Sequence, residues 1–131
     1  MTYKLSKSSL KNREGVDPRL IAISDLALTI SRYDFGHGES SGLRTAEEQH
    51  QIFLDGYSRA DGYNRKSYHQ TGLALDFYAF VDGKASWDKE HLAVVAAAFL
   101  QAAAQLGVPL RWGGQWKSFQ DYPHLEIRDG I

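Results

Sequence analysis

Residues 67–80 read Ser67-Tyr68-His69-Gln70-Thr71-Gly72-Leu73-Ala74-Leu75-Asp76-Phe77-Tyr78-Ala79-Phe80. The second half of this stretch is rich in strand-forming residues, and Asp82-Gly83 just after it is a hairpin signal. The segment before it, residues 59–67, is polar and predicts a loop. We therefore predict a strand over residues 73–80 that follows a loop and turns back at Asp82-Gly83.

Two helices are predicted before this strand. Asp17 is a good N-cap and Pro18 suits the first helical position, so a first helix is expected over about residues 18–31. Thr45 and Glu48 have the spacing of a capping box, in which each side chain satisfies a free amide at the helix start. The second helix then runs to about Leu54.

A third helix is predicted from Asp88, as its N-cap, to about Leu106, before Gly107. Its apolar stripe marks it as the core helix, with Leu92, Val95, Ala96, Phe99, Leu100, Ala103 and Leu106 at helical spacing. Short strands are expected at residues 110–112 and 123–127. This order predicts an α+β fold, a small antiparallel β-sheet flanked by about three α-helices.

The composition suits a single domain over residues 1–131, because 43% of the residues are hydrophobic. A formal net charge of -1 argues against nucleic acid or an anionic membrane as partner. The N-terminus lacks the apolar run of a signal peptide, and residues 93–106 are too short to cross a bilayer. We expect a soluble protein made in the cytoplasm, which another factor must release if its substrate lies outside.

Any metal site must use His and carboxylate ligands, because the sequence has no cysteine. His69 and Asp76 are seven residues apart, and on a straight strand such an odd offset points two side chains to opposite faces. A turn at Thr71-Gly72 lets His69 fold back over the face that carries Asp76. A carboxylate within an apolar run is also costly unless it is paired or metal-bound. Asp76 is therefore a candidate ligand.

A second histidine lies in the segment Asp121-Tyr122-Pro123-His124-Leu125-Glu126. In a strand that starts near Pro123, the side chains of His124 and Glu126 point the same way, and Asp121 lies in the loop before them. His124 can complete a set with His69 and Asp76, three ligands that leave a fourth zinc position open for water. An open position is typical of a catalytic zinc site.

Water that attacks a carbonyl at such a metal needs a base, usually a carboxylate beside the metal. Asp121 is placed for that role. Arg44 precedes Thr45 at the start of the second helix, where a cation is unfavourable with the helix dipole and so invites a specific reason. We predict that Arg44 stabilises the oxyanion of the tetrahedral intermediate.

Three motifs together resemble the zinc D-alanyl-D-alanine carboxypeptidase family. They are Ser67-x-His69-x-x-Gly72-x-Ala74-x-Asp76, then Asp121-x-x-His124-x-Glu126, and upstream Gly42-x-Arg44-Thr45. That family includes vancomycin-resistance dipeptidases and the L-alanyl-D-glutamate endopeptidases of phage endolysins. The resemblance runs from about Tyr33 to the end. It implies one zinc ion held by His69, Asp76 and His124, with Asp121 as catalytic base, Arg44 as transition-state stabiliser, and Ser67 and Glu126 as supporting residues.

The chain looks most like the phage endopeptidase branch. It is short, and it has the segments Tyr33-Asp34-Phe35 and Trp112-Gly113-Gly114-Gln115-Trp116. We expect no separate cell-wall-binding domain. The resemblance implies hydrolysis of the L-alanyl-D-glutamate bond of peptidoglycan stem peptide during phage lysis. We expect a monomer. Trp112 is a candidate supporting or substrate-binding residue, either in the core or in a cleft wall. Relatives commonly have an acid where this chain has Gln115.

Two alternatives stay open. The same site could serve a D-alanyl-D-alanine carboxypeptidase or dipeptidase, and a similar fold could be a zinc-stabilised binding module without activity. The other three histidines, His37, His50 and His91, are expected to be ordinary hydrogen-bonded residues. Among them His37, between two glycines, is the least typical.

Overall fold

The computed structural model describes residues 3–129, which form four α-helices, two 3₁₀ helices and six short strands. The α-helices are α1 (Lys7–Asn12), α2 (Pro18–Ile30), α3 (Ala46–Leu54) and α4 (Lys89–Leu106), and the 3₁₀ helices are Tyr68–Thr71 and Gly113–Gln115. The strands are β1 (Asp34–Gly36), β2 (Ala74–Asp76), β3 (Tyr78–Val81), β4 (Lys84–Ser86), β5 (Leu110–Trp112) and β6 (His124–Ile127). The predicted α+β class is confirmed, and α1 and β1 are additional elements.

The three predicted helices begin close to their predicted capping residues. The Asp17 carboxylate accepts a hydrogen bond from the amide of Arg19 at 2.9 Å, and both hydrogen bonds of the Thr45 and Glu48 capping box are present. Asp88 occupies the N-cap of α4, but its side chain makes no capping hydrogen bond. Across residues 3–129, no helix is both long and apolar enough to span a bilayer.

Helix α4 lies at the centre of the main hydrophobic core and packs against α2. Val95 and Phe99 are fully buried there, and burial of each such side chain stabilises the fold by about 1.5–3 kcal/mol. Leu106 departs from the predicted stripe, because it ends the helix and is 45% exposed. The core holds α4 against α2 and under β3, which positions the sheets.

The run predicted as one strand over residues 73–80 is divided between two antiparallel sheets, β1-β3-β4 and β2-β6-β5. Phe77 lies at the division. Its amide donates to the carbonyl of Pro123 at 2.9 Å, and its buried ring stacks on Phe99 with centroids 5.3 Å apart. The chain therefore leaves the second sheet directly after Asp76, and this residue ends β2 at the edge of a cleft.

The predicted turn at Thr71-Gly72 is confirmed. Gly72 has a φ of 77° and ends the 3₁₀ helix Tyr68–Thr71. A Cβ atom at this position would lie 3.0 Å from the carbonyl oxygen of Gly15, whereas Gly83 has a φ of 78° and open space around the same position. The two glycines are therefore matched in backbone conformation and differ in surroundings.

We expect Gly72→Ala to lower the free energy of unfolding by about 2–4 kcal/mol, because left-handed strain adds to a backbone clash. Gly83→Ala should cost only about 1–2 kcal/mol, since only the strain applies. Urea denaturation of both variants measures the difference. Equal losses would show that the contact with Gly15 contributes nothing.

Candidate metal centre and active site

Three side chains that lie far apart in sequence meet at one end of the β2-β6-β5 sheet. Asp76, the last residue of β2, lies directly opposite His124, the first residue of β6. His69 reaches the same point from the 3₁₀ helix Tyr68–Thr71, because the turn at Gly72 reverses the chain before β2. The structure thus brings the predicted ligands His69, Asp76 and His124 together.

The donor atoms of these residues are spaced as a tetrahedral metal site requires. His124 Nδ1 lies 3.1 Å from Asp76 Oδ1, and His69 Nε2 lies 3.3 Å from both of these atoms. Zinc ligands at about 2.0–2.1 Å in a tetrahedron are separated by about 3.3 Å. Two imidazole nitrogens and one carboxylate oxygen in this arrangement fit a zinc ion.

Hydrogen bonds on the far side of each imidazole ring determine which nitrogen faces the metal position. The Nδ1–H group of His69 donates to the carbonyl of Gly42 at 2.9 Å, and the Nε2–H group of His124 donates to Glu126 Oε1 at 2.7 Å. In each ring the other nitrogen faces Asp76, and it can offer a lone pair to a metal that replaces any proton it carries. Such outer partners are typical of metal-binding histidines.

The electrostatics of the site favour a positive charge among these groups. Burial would raise the pKa of Asp76, but charge interactions and hydrogen bonds with His69 and His124 hold it well below its usual value. Burial also disfavours charge on His124, yet hydrogen bonds with Asp76 and Glu126 outweigh it and raise its pKa to about 10. A divalent cation bound by these atoms can supply the positive charge in place of the proton on His124.

Asp121 lies beside the three predicted ligands, in the loop that leads to β6, and lines the same cleft. Its amide donates to the carbonyl of Gly113 at 3.1 Å, and its own carbonyl accepts from the amide of His124 at 3.2 Å. Within residues 3–129, its carboxylate does not belong to the cluster of metal-binding atoms. Burial and the nearby charge of Asp76 raise the pKa of its carboxyl group. A carboxyl group of this kind suits proton transfer.

Arg44 reaches into the cleft, as expected, and it also contacts a predicted metal ligand. Its guanidinium donates to Asp76 Oδ2 at 3.2 Å, to the carbonyl of Ser40 at 2.6 Å and to Gln49 Oε1 at 3.0 Å. Gln49 is fully buried, so its hydrogen bond fixes the position of the Arg44 guanidinium. Arg44 therefore orients Asp76 with Oδ1 toward the metal position, a contact that sequence reasoning missed.

The two residues predicted to support the site each contact a ligand residue. Ser67 caps the 3₁₀ helix Tyr68–Thr71, where its hydroxyl accepts from the amide of His69 at 3.2 Å. Glu126 accepts from His124 and also from the guanidinium of Arg128. Each residue thus acts on the orientation of one histidine.

The two tryptophans that flank the 3₁₀ helix Gly113–Gln115 have different surroundings. Trp112 packs against the main core, and its Nε1–H group donates to the carbonyl of Tyr122 at 2.6 Å. Trp116 lines the cleft, with its ring centroid 5.3 Å from that of His124. Trp112 is thus placed to support the loop that carries Asp121, and Trp116 forms the cleft wall.

Comparison with known proteins identifies the family of this chain. The family model described as phage L-alanyl-D-glutamate peptidase matches residues 1–131. The chain belongs to this family. It is 38% identical over 131 residues to the L-alanyl-D-glutamate peptidase of Escherichia phage T5, covering 99% of this chain and 93% of that protein. The family resemblance read from the three motifs is therefore confirmed.

This member of the peptidase family is also similar to two bacterial proteins. The peptidoglycan L-alanyl-D-glutamate endopeptidase CwlK of Bacillus subtilis is 36% identical over 104 residues, which cover 67% of this chain and 58% of CwlK. The crystal structure of the Serratia marcescens L-Ala D-Glu endopeptidase ChiX has a TM-score of 0.83 and 33% identity, covering 95% of this chain and 90% of ChiX. The α+β architecture is therefore that of an established peptidase.

His37 contacts Asp76, one of the predicted ligands, from outside the cleft. The imidazole is buried, and its Nδ1–H group donates to the backbone carbonyl of Asp76 at 2.8 Å while Nε2 accepts from the Ser24 hydroxyl at 2.9 Å. Burial lowers the pKa of His37 to about 4, so the ring is neutral near pH 7. In the sequence, only the position of His37 between two glycines set it apart, and this did not predict its contact with Asp76.

Proposed function

We propose that this chain is a zinc metallopeptidase that hydrolyses the L-alanyl-D-glutamate bond of peptidoglycan stem peptides, as a phage or prophage endolysin. The observation that carries this proposal is the tetrahedral spacing of His69, Asp76 and His124, with Asp121 and Arg44 in the same cleft. The names of the relatives support the choice of bond. The single zinc ion is proposed from the donor set.

Zinc bound by the three ligands would polarise the scissile carbonyl and lower the pKa of water at the open position. Asp121 accepts the proton of the attacking water and then passes it to the leaving amine of D-glutamate. The raised pKa of its carboxyl group helps both transfers, because a base that must later act as an acid works best near the operating pH.

Arg44 acts on the oxygen of the attacked carbonyl. Its guanidinium is held by Ser40 and Gln49 and lies at the cleft beside Asp76, so it needs no rearrangement before the reaction. A preorganised cation near a developing oxyanion is worth more than a mobile one, because its orientation is already fixed.

The test is digestion of purified peptidoglycan by the zinc-loaded protein with and without a chelator, followed by mass spectrometry of the products. Cleavage at L-alanyl-D-glutamate leaves new D-glutamate amino termini and no free D-alanine. Release of D-alanine or its dipeptide would instead identify a D-alanyl-D-alanine carboxypeptidase or dipeptidase. Binding to peptidoglycan without any new terminus would identify a binding module.

The carboxylate of Glu126, which accepts a hydrogen bond from His124, should have a smaller effect on zinc binding. We expect Glu126→Gln to weaken zinc binding by about 10- to 100-fold, because the imidazole loses a charged partner that raises its basicity. Competition with a chromogenic chelator measures the zinc Kd. Glu90→Gln, on the exposed start of α4, is the matched control. Equal zinc affinity in both variants would remove Glu126 from the site.

A further inference from the structure

The cleft around the proposed active site is more basic than the rest of the molecule. Its lining includes three acidic residues, Asp76, Asp121 and Glu126, and six basic ones, Arg44, Arg59, Arg65, Lys66, Arg111 and Arg128. The whole chain, in contrast, has a formal net charge of -1. Positive charge is therefore concentrated at the place where substrate must bind.

Two of these cations are already paired with carboxylates of the site. Arg44 contacts Asp76, and Arg128 contacts Glu126. The other four, Arg59, Arg65, Lys66 and Arg111, are exposed and form no ion pair among the residues that the structure describes. We call these four residues the basic rim. An unpaired cationic rim is available to an anionic group of the substrate.

Three members of the basic rim lie on one loop, residues 57–66, whose backbone is held in place. Three consecutive carbonyls accept side-chain hydrogen bonds: Ala60 from Gln49, Asp61 from His50 and Gly62 from Gln70, each at 2.8–2.9 Å. The Asp61 carboxylate also accepts from the amides of residues 63–65. The loop therefore presents Arg65 and Lys66 from a defined backbone.

Arg111 lines the cleft from a different element. It lies on β5, directly across from Glu126 on β6, so its side chain shares the sheet face that carries His124. His124 is its diagonal neighbour on β6, a relation that separates Cα atoms by about 7–8 Å. A long arginine side chain at that position reaches the surroundings of the metal ligands.

The leaving group of the proposed reaction carries the matching charge. A D-glutamate joined through its amine to L-alanine still has two carboxyl groups, and a continuing peptide uses only one of them. A free carboxylate therefore lies within a few bonds of the scissile nitrogen. Charge-assisted hydrogen bonds from Arg or Lys are the usual way to recognise such a group.

Resting on the proposed function, we propose that the basic rim, through Arg65, Lys66 and Arg111, binds the free carboxylate of the glutamate residue on the leaving side of the scissile bond. The rim thereby selects acidic stem peptides over neutral ones. The expected preference for a carboxylate over the isosteric carboxamide is about 10- to 100-fold in kcat/KM, the usual range for a hydrogen bond to a charged group.

The experiment uses two synthetic stem peptides that differ only in this group, one with the free carboxylate and one with a carboxamide. The zinc-loaded wild type is compared with R65Q/K66Q, with R111Q, with the triple variant that combines them and with the control K84Q. Lys84 lies on β4 away from the cleft. We expect the carboxylate preference to fall toward 1 in the triple combination R65Q/K66Q/R111Q and to persist in K84Q.

Each outcome decides the inference. Wild-type hydrolysis of both peptides at equal kcat/KM, or an unchanged preference in the triple variant, would overturn the inference and leave the proposed function standing. Hydrolysis of neither peptide would overturn the proposed function and the inference with it. A zinc titration and a thermal melt of each variant verify folding. Binding of the two peptides to the same zinc-loaded variants in an Asp121→Asn background gives the ratio with hydrolysis slowed.

Discussion

Replacement of Asp121 by asparagine is expected to lower kcat by about 10²- to 10⁴-fold, the usual contribution of a positioned general base. The amide cannot take the proton of the attacking water or return it to the leaving amine. Zinc binding should persist, because the Asp121 carboxylate lies outside the cluster formed by His69, Asp76 and His124. Steady-state kinetics on an L-alanyl-D-glutamate peptide and metal analysis of the same sample measure both quantities.

The fold of the Asp121→Asn variant should be at least as stable as that of the wild type. Burial and the charge of Asp76 raise the pKa of Asp121, which means that its ionised form is disfavoured in the folded protein. Asp82→Asn, in the exposed turn between β3 and β4, is the control and should keep full activity. Loss of zinc from Asp121→Asn would make Asp121 a ligand, and retention of most activity would assign the base elsewhere.

Removal of the metal should have the other large effect. A chelator is expected to abolish hydrolysis, with a loss of at least about 10³-fold, and stoichiometric zinc should restore it. Zinc at about 1,000 times its Kd adds about 4 kcal/mol to stability. For a chain of this size, that corresponds to a rise in Tm of about 10–20 °C. Thermal melts with and without zinc, run beside the activity assay, test both parts.

Two histidine variants test the same mechanism, one at a predicted ligand and one as a control. His69→Ala should lose both the activity and the zinc-dependent rise in Tm, because one of the three donors is missing. His91→Ala should keep both, since His91 lies on α4 and bonds to Ser86, away from the ligand set. Hydrolysis that continues in the chelator, at an unchanged rate, would contradict the metal-dependent mechanism.

Part of the arrangement of His69, Asp76 and His124 could be predicted from sequence, because it depends on local rules. The offset between His69 and Asp76 requires a turn, and Gly72 is the residue that can make it with a positive φ. Residue alternation in β6 likewise places His124 and Glu126 on one face. Such relations span a few residues, so strand periodicity and turn chemistry predict them. The pairing of β2 with β6, which places His124 opposite Asp76, is not local, and the full set was implied by the family resemblance.

The remaining contacts depend on the tertiary fold and have no local signature. The division of the strand at Phe77 follows from its ring packing on Phe99 and its amide bonding to Pro123, 46 residues further on in the sequence. The contacts of Gln49 with Arg44 and of His37 with the Asp76 carbonyl arise in the same way. A single sequence does not indicate which polar residue will be buried beside a distant one.

The way in which the loop of residues 57–66 is held has an evolutionary consequence. Gln49, His50 and Gln70 all bind backbone carbonyls of this loop, and every amino acid has that group. Loop side chains such as Arg65 and Lys66 can therefore be exchanged by mutation, while these hydrogen bonds to the backbone and the catalytic residues stay in place. The same scaffold can drift from one stem-peptide chemistry to another, and a designer can retarget it by varying Arg65 and Lys66. Asp61 and Gly62 would be kept, because the Asp61 carboxylate holds the loop and a Cβ atom at Gly62 would lie 2.6 Å from the carbonyl oxygen of Ala46.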